Sequence, residues 1–159
     1  MKPHAFHDVL TGIANRGLFI ESLEDRVARC QRYGDHCAVL FLDVENLQAV
    51  NDAHGLAAGD ALLVRLAETL KANIRTTDVV ARIGGNEFGL LLDNLDGDEV
   101  EDKIEHLSEQ LGKARFAHEG TKIPLGTSIV YCFVGPQDTT EGLMSRADAA
   151  MYRAKDKIK

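Results

Sequence analysis

Residues 79–92 read Val-Val-Ala-Arg-Ile-Gly-Gly-Asn-Glu-Phe-Gly-Leu-Leu-Leu, two apolar runs that flank a pair of glycines. This pattern predicts two β-strands joined by a tight hairpin. Gly84 and Gly85 can adopt positive φ without steric cost, and they let a ligand approach the backbone closely. Asn86 and Glu87 follow at the tip, where a polar pair suits a binding site better than a core. The alternative is a plain surface turn that contains a turn-favouring asparagine.

The composition is that of a folded domain and argues against several classes of function. The chain has 159 residues, of which 45% are hydrophobic and 27% charged, as in a globular domain with its own core. A net charge of −7 argues against a general nucleic-acid binder, which needs a basic face. The sequence has no apolar run of membrane-spanning length and no signal-peptide pattern. The three cysteines lack metal-binding spacing, and we expect buried free thiols in a reducing compartment.

A continuous apolar run from Cys37 to Asp43 predicts a buried central strand that ends in a carboxylate. The carboxyl end of such a strand opens onto a loop, and it is a common place for a catalytic or metal-binding group. From this segment alone, a solvated strand end or a helix cap would explain Asp43 equally well.

Helical spacing of apolar residues predicts most of the remaining elements. A helix capped by Asn15 ends near Gly34, and a short helix over residues 46–54 leads into a loop at residues 55–59. Asp60 then caps a longer amphipathic helix. The later predicted elements are a polar turn at 93–97, a helix at 100–111, a strand at 122–134 and a closing helix at 141–155.

Five motifs lie along the chain at mutually consistent distances. They are Asp-Val-Leu-Thr-Gly-Ile-Ala-Asn-Arg at 8–16, the run from Asp43 to Asp60, Arg75-x-x-Asp78, the hairpin Arg-Ile-Gly-Gly-Asn-Glu-Phe at 82–88, and Ala-Asp-Ala-Ala-Met-Tyr-Arg-Ala-Lys at 147–155. Together they resemble the GGDEF domain, the family of diguanylate cyclases, over nearly the whole chain. The resemblance implies a single domain over residues 1–159, cut from a longer multidomain signalling protein.

The resemblance implies an α/β fold with a largely antiparallel central sheet flanked by helices, as in nucleotide cyclase palm domains. It also implies a reaction in which two facing protomers each hold one GTP, and the two GTP molecules condense into cyclic di-GMP. Mg²⁺ or Mn²⁺ would accompany bound GTP. The implied catalytic positions are Asp43, Gly84, Gly85, Asn86 and Glu87, and the implied metal ligands are Asp43, the backbone carbonyl of Val44 and Asn86.

The chain departs from the family pattern at positions that handle metal and phosphate. Asn86 stands where the family has a metal-binding carboxylate, so residue 86 brings no charge and cannot act as a base. Gln48 replaces a phosphate-binding lysine. Lys155 matches a second phosphate-binding cation, but Ile158-Lys159 replaces the Gly-Arg pair that follows it. Losing one charged element of such a site would cost about 2–4 kcal/mol, on the order of 10²–10³ in rate, so we expect a degenerate catalytic site.

Two further residue pairs match positions that bind nucleotides in the family. Asn51 and Asp60 match its guanine-reading pair, although a turn residue and a helix cap would look the same in sequence. Arg75 and Asp78 match its inhibitory site for cyclic di-GMP. An arginine fork can pair with guanine O6 and N7 or with a phosphate, and an aspartate can accept the guanine N1 and N2 hydrogens. The alternative for this pair is a local salt bridge of little energetic value.

These residues predict a non-catalytic regulatory module that binds cyclic di-GMP, with GTP binding left open. A weakly active diguanylate cyclase is the alternative, and the intact Arg75 and Asp78 disfavour a purely structural dimerisation module. We expect contacts with a second copy of the domain or with other domains of the parent protein, and none with nucleic acid or a membrane. The expected location is the cytoplasm, and a membrane anchor elsewhere in the parent protein is left open.

Overall fold

The computed structural model describes residues 6–114, 116–123, 125–135 and 137–158, with side chains as far as residue 152. The helices are α1 Arg16–Tyr33, α2 Leu47–His54, α3 Leu56–Ala72, α4 Gly97–Lys113 and α5 Thr140–Ile158. The strands are β1 Ala14–Asn15, β2 Cys37–Val44, β3 Val79–Arg82, β4 Glu87–Asp93, β5 Ala117–His118, β6 Thr121–Lys122 and β7 Thr127–Phe133. These elements confirm the predicted α/β fold class.

The central sheet has five strands in the order β1-β3-β4-β2-β7. β1 pairs with β3 in parallel, whereas the pairs β3–β4, β4–β2 and β2–β7 are antiparallel. β2 has a strand on each edge and a core cluster on each face, so every one of its residues is buried. The largely antiparallel sheet and the central place of β2 are as predicted.

Alternation along β2 sends its side chains into two separate cores. Leu40 and Leu42 join one cluster with the inner faces of α2, α3 and α4. Phe41 joins the other cluster, where its ring meets Phe19 of α1 edge-on with 5.9 Å between centroids. Each such fully buried side chain contributes about 1.5–3 kcal/mol. The sheet is therefore fixed on both faces, and the residues at its strand ends sit on a rigid base.

The two ends of α1 form as the sequence predicts. The side-chain oxygen Oδ1 of Asn15 accepts a hydrogen bond of 3.0 Å from the Leu18 backbone N–H, which caps the helix. At the other end Gly34 has φ of 70°, a left-handed conformation that glycine adopts without strain. The sequence predicts both helix ends because each cap involves only neighbouring backbone groups.

The predicted loop at residues 55–59 is wrong, because only Gly55 separates α2 from α3. Ala58 and Gly59 are buried, and their small size lets α3 pack closely while it is already helical. Asp60 consequently lies inside the helix rather than at its cap. The predicted strand over 122–134 also forms only in part, since β6 ends at Lys122 and β7 begins at Thr127.

Across the described residues, every helix is too short or too polar to cross a bilayer.

Candidate functional site

The hairpin and the end of β2 meet in register. Asp43 lies opposite Glu87 of β4 on one side and opposite Ser128 of β7 on the other. Residues opposed in an antiparallel pair have Cβ atoms about 4.5–5.5 Å apart on the same face of the sheet. Asp43 is only 4% exposed, whereas Glu87 is partly exposed. The fold therefore brings the two predicted carboxylates together at one strand end.

The hairpin reverses without left-handed glycines. The backbone N–H groups of Ile83 and Gly84 both donate to the Glu87 carbonyl oxygen, at 2.9 and 3.2 Å. Gly84 and Gly85 lie outside the positive-φ region, so the expectation that the turn uses positive φ there is wrong. A Cβ on Gly85 would meet nothing within 4 Å. The glycine at the tip thus leaves open space next to the backbone rather than relieving strain within it.

Arg82 ties the hairpin to the segment before α1. Its Nη2 donates to the Gly85 carbonyl oxygen at 2.8 Å, and its Nη1 lies 3.4 Å from the carboxylate of Asp8. The backbone N–H and the hydroxyl of Thr11 also donate to Asp8, at 2.9 and 2.7 Å. Burial alone would raise the pKa of Asp8, but the bonds from Thr11 and the charge of Arg82 outweigh it and lower that pKa. Asp8 is therefore a positioning residue, which the sequence showed only as the first residue of the 8–16 motif.

The side chain of Asn86 forms a hydrogen bond with Val44, the last residue of β2. Its Nδ2 donates to the Val44 carbonyl oxygen at 3.0 Å, and the Val44 N–H donates to the Asn86 carbonyl oxygen at 2.8 Å. The Val44 carbonyl, predicted as a metal ligand, therefore faces a hydrogen-bond donor.

The residues around this strand end do not fit the divalent cation that GGDEF cyclases use. Asn86 presents nitrogen rather than oxygen to Val44, and Glu45 accepts a hydrogen bond from the Ser128 hydroxyl. Within the described part of the chain, no group of three or more His, Cys, Asp or Glu side chains could hold a metal ion. Of the predicted ligand set, only Asp43 brings a formal negative charge, and the Val44 carbonyl oxygen already accepts a hydrogen bond from Asn86.

The predicted guanine-reading residues, Asn51 and Asp60, lie on the successive helices α2 and α3. The Asn51 oxygen Oδ1 is buried and has no hydrogen-bond partner among the described residues. A Cβ on Gly59 would lie 1.8 Å from this oxygen, so only glycine leaves room for the amide. Asp60 follows Gly59 directly and is exposed. Sequence analysis missed the role of Gly59, which depends on a contact between two helices.

The predicted phosphate-binding positions offer little to a polyphosphate. Gln48 donates from Nε2 to the Asp52 carboxylate at 2.9 Å, within its own helix α2. Lys155 lies on α5, and its side chain is outside the described residues.

The Asp78 carboxylate is 1% exposed and is used inside the protein. It accepts hydrogen bonds from the Arg75 backbone N–H at 3.0 Å, from Arg75 Nη2 at 3.3 Å and from the Asp93 backbone N–H at 3.2 Å. In this conformation it presents no surface to a guanine edge, contrary to the expectation from sequence. Arg75 is 50% exposed, so the arginine is the member of the pair that faces outward.

Asp93 and Arg26 extend this pair into a network of two cations and two anions. Arg75 Nη2 donates to the Asp93 carbonyl oxygen, and Arg26 Nε donates to the Asp93 carboxylate at 2.8 Å. Arg26 also donates to the Thr77 carbonyl oxygen at 3.1 Å. Sequence analysis missed Arg26 and Asp93 because residues so far apart in the chain leave no local pattern.

A cavity of about 390 Å³ opens beside Arg75, within the size range of small-molecule sites. We call it the Arg75 cavity. Its walls come from the segment before α1, the end of α3 and the start of β3; they include His7, Ile13, Lys71, Ile74, Arg75 and Asp78. Lys71 adds a second cation that sequence analysis did not single out. The apolar walls and paired cations suit a ligand that combines flat bases with phosphate.

The fold and the hairpin motif together match one known family over nearly the whole chain. A family profile described as "Diguanylate cyclase, GGDEF domain" matches residues 5–159. The chain belongs to the GGDEF family. It is 37% identical over 153 residues to the bifunctional diguanylate cyclase/cyclic di-GMP phosphodiesterase MucR of Pseudomonas aeruginosa. That match covers 96% of this chain and 22% of MucR, so the chain spans about a fifth of that relative.

Solved structures share the same fold. The diguanylate cyclase SiaD of Pseudomonas aeruginosa, solved with its activator SiaC, superposes with a TM-score of 0.91 at 28% identity, over 98% of this chain and 60% of that one. A microbial GGDEF domain, studied for its interaction with cyclic di-GMP, has a TM-score of 0.84 at 33% identity, over 98% of this chain and 93% of that one. These superpositions show that the chain has the fold of a GGDEF domain.

Proposed function

We propose that this GGDEF domain is a non-catalytic module that binds cyclic di-GMP in the Arg75 cavity. The observation that carries the proposal is the half-exposed guanidinium of Arg75, held in one orientation at the wall of that cavity. Asp78 and the Asp93 carbonyl fix it from behind. A cation that is already oriented loses little conformational entropy when an anion binds.

The ligand's chemistry matches the groups that the cavity offers. Cyclic di-GMP carries two phosphates and two guanines, and the Arg75 fork can pair with a phosphate or with guanine O6 and N7. Lys71 supplies a second charge for phosphate. Asp78 orients Arg75, and it can accept guanine N–H groups only after the guanidinium moves off its carboxylate.

Isothermal titration with cyclic di-GMP tests the proposal. Arg75→Ala removes the fork and should cost about 2–3 kcal/mol of binding free energy, roughly 30- to 150-fold in Kd. Arg75→Lys keeps the charge without the bidentate geometry and should fall between wild type and Arg75→Ala.

Arg146 offers a matched control. It is 54% exposed and pairs with Asp138 at 3.1 Å, much as Arg75 pairs with Asp78, but it lies on α5 and does not line the Arg75 cavity. Arg146→Ala should leave the Kd unchanged. Absent binding by wild type, or equal binding by wild type and Arg75→Ala, would refute the proposal and leave Arg75 and Asp78 as a local salt bridge.

A weakly active cyclase is the second candidate, favoured by the register of Asp43 and Glu87 across β2 and β4. We predict little or no cyclic di-GMP from GTP with Mg²⁺ or Mn²⁺, because residue 86 is neutral and Gln48 bonds within its helix. Chromatography of nucleotides after incubation at high protein concentration is the measurement. Turnover at rates typical of enzymes, about 1 s⁻¹ or faster, would contradict this prediction and the non-catalytic proposal.

The guanine-reading pair matches the family and suggests a subsidiary role in GTP binding. Asp60 is exposed on α3, whereas the amide oxygen of Asn51 is buried against Gly59 and can accept from a guanine N–H group only after its surroundings open. We propose that any response to nucleotide passes to a second copy of the domain or to other domains of a longer protein.

A further inference from the structure

Residue 86 bonds both polar groups of Val44. The Val44 N–H donates to the Asn86 backbone carbonyl at 2.8 Å, and the Asn86 amide donates to the Val44 carbonyl at 3.0 Å. Val44 is fully buried at the end of β2. A single asparagine therefore fastens the tip of the hairpin to the last residue of the central strand.

The direction of the second bond follows from chemistry alone. A backbone carbonyl oxygen only accepts, so the amide atom that faces Val44 must be nitrogen. A carboxylate at residue 86 in the same position would set two acceptor oxygens against each other, which is unfavourable without a proton or a cation between them. The asparagine needs neither because it brings its own donor.

The Glu45 carboxylate, next to Val44 in the chain, is also engaged within the protein, because it accepts a hydrogen bond from the Ser128 hydroxyl. Mg²⁺ needs several oxygen ligands in near-octahedral geometry, and this contact occupies one candidate carboxylate.

We propose that the Asn86 amide takes the place of the divalent cation at this strand end. It holds the hairpin against β2 directly, so the domain keeps this geometry without metal and does not bind Mg²⁺ or Mn²⁺ at the Val44 carbonyl. The proposal goes beyond cyclic di-GMP binding and does not depend on the Arg75 cavity.

Titration of Mn²⁺ followed by electron paramagnetic resonance tests metal binding without any activity. Wild type should leave the signal of free Mn²⁺ unchanged at submillimolar concentrations, whereas Asn86→Asp should take up the ion. Asn94→Asp is the matched control, because it makes the same chemical change on an exposed turn after β4. Submillimolar Mn²⁺ binding by wild type that is lost in Asp43→Asn would overturn the proposal.

Thermal melts in EDTA and in MnCl₂ provide the second readout. Asn86→Asp should melt roughly 2–10 °C below wild type in EDTA and recover in MnCl₂, and Asn86→Ala should melt lower in both. Wild type should show the same Tm in both buffers. A wild-type Tm that rises with MnCl₂ as much as that of Asn86→Asp would overturn the proposal. If Asn86→Asp fails to fold, the wild-type titration and the Asn86→Ala melts still decide the question.

Discussion

At the scale of single residues, the Asp8 carboxylate stabilises the segment before α1 through its contacts with Thr11 and Arg82. Its bonds to Thr11 and its contact with Arg82 lower its pKa below the ordinary 3.8. A lowered folded-state pKa means that Asp8 stabilises the protein above the unfolded-state value, and that this contribution disappears as the pH falls through the folded-state pKa. Asp8→Asn should therefore destabilise the domain at pH 7 by roughly 1–2 kcal/mol.

Urea denaturation of wild type and Asp8→Asn from neutral to acid pH measures this difference. It should shrink as the pH falls from 3.8 through the lower folded-state pKa, because Asp8 is protonated first in the unfolded chain and then in the folded protein. Asp25→Asn is a suitable control, since Asp25 is an exposed partner of Arg29 on α1. A difference between wild type and Asp8→Asn that stays constant down to pH 2 would contradict the assignment.

Residue identity could be predicted from the sequence at the strand end, but residue orientation could not. The neutral Asn86 was evident from the hairpin motif, whereas its bond to Val44 depends on where β4 places the side chain. Asp78 shows the same limit. Its residue type and spacing predict a carboxylate that faces a ligand. Its burial depends on a hydrogen bond from the Asp93 backbone, which lies 15 residues away in the chain.

At the scale of elements, β4 packs closely against α1 because Gly89 leaves room for the ring of Phe19. A Cβ on Gly89 would lie 2.7 Å from two ring atoms of Phe19, whose side chain is fully buried and also packs on Phe41. Gly89→Ala should therefore cost about 1–3 kcal/mol of unfolding free energy through overpacking. Chemical denaturation measures it, and Gly112→Ala, where a Cβ meets nothing within 4 Å on α4, is the control. Equal stability of Gly89→Ala and wild type would show that Phe19 can move aside.

Element boundaries followed the sequence where the signal was local. Asn15 and Gly34 marked the two ends of α1 because capping involves only neighbouring backbone groups. The start of α3 was misplaced because glycines usually signal a loop, whereas Gly59 is present to let α3 approach Asn51. That reason lies in another helix and leaves no periodic trace in the chain.

At the scale of the whole molecule, the segment before α1 joins the Arg75 cavity to the hairpin. Gly12 and Ile13 line the cavity, and Asp8 holds Arg82 at the hairpin. The segment is itself closed by two backbone bonds, Asp8 N–H to the Ile13 carbonyl at 2.7 Å and Gly12 N–H to the Asp8 carbonyl at 2.8 Å. One short loop therefore contacts both the proposed ligand site and the hairpin.

This arrangement predicts that cyclic di-GMP will stabilise the segment before α1. If the segment must stay closed for the ligand to bind, each opening requires ligand release, and amide exchange slows by a factor of about 1 + [L]/Kd. At ten times Kd, the Asp8 and Gly12 amides should exchange about tenfold more slowly, as measured by hydrogen–deuterium exchange. The Leu107 amide lies on α4 and does not line the Arg75 cavity, so its exchange should not change. Arg82→Ala removes the contact between Asp8 and the hairpin. In this variant the ligand should still slow amide exchange at Gly12, but it should slow exchange less at the hairpin amides. Ligand binding by calorimetry with unchanged exchange at Asp8 and Gly12 would show that the cavity and this segment are not coupled.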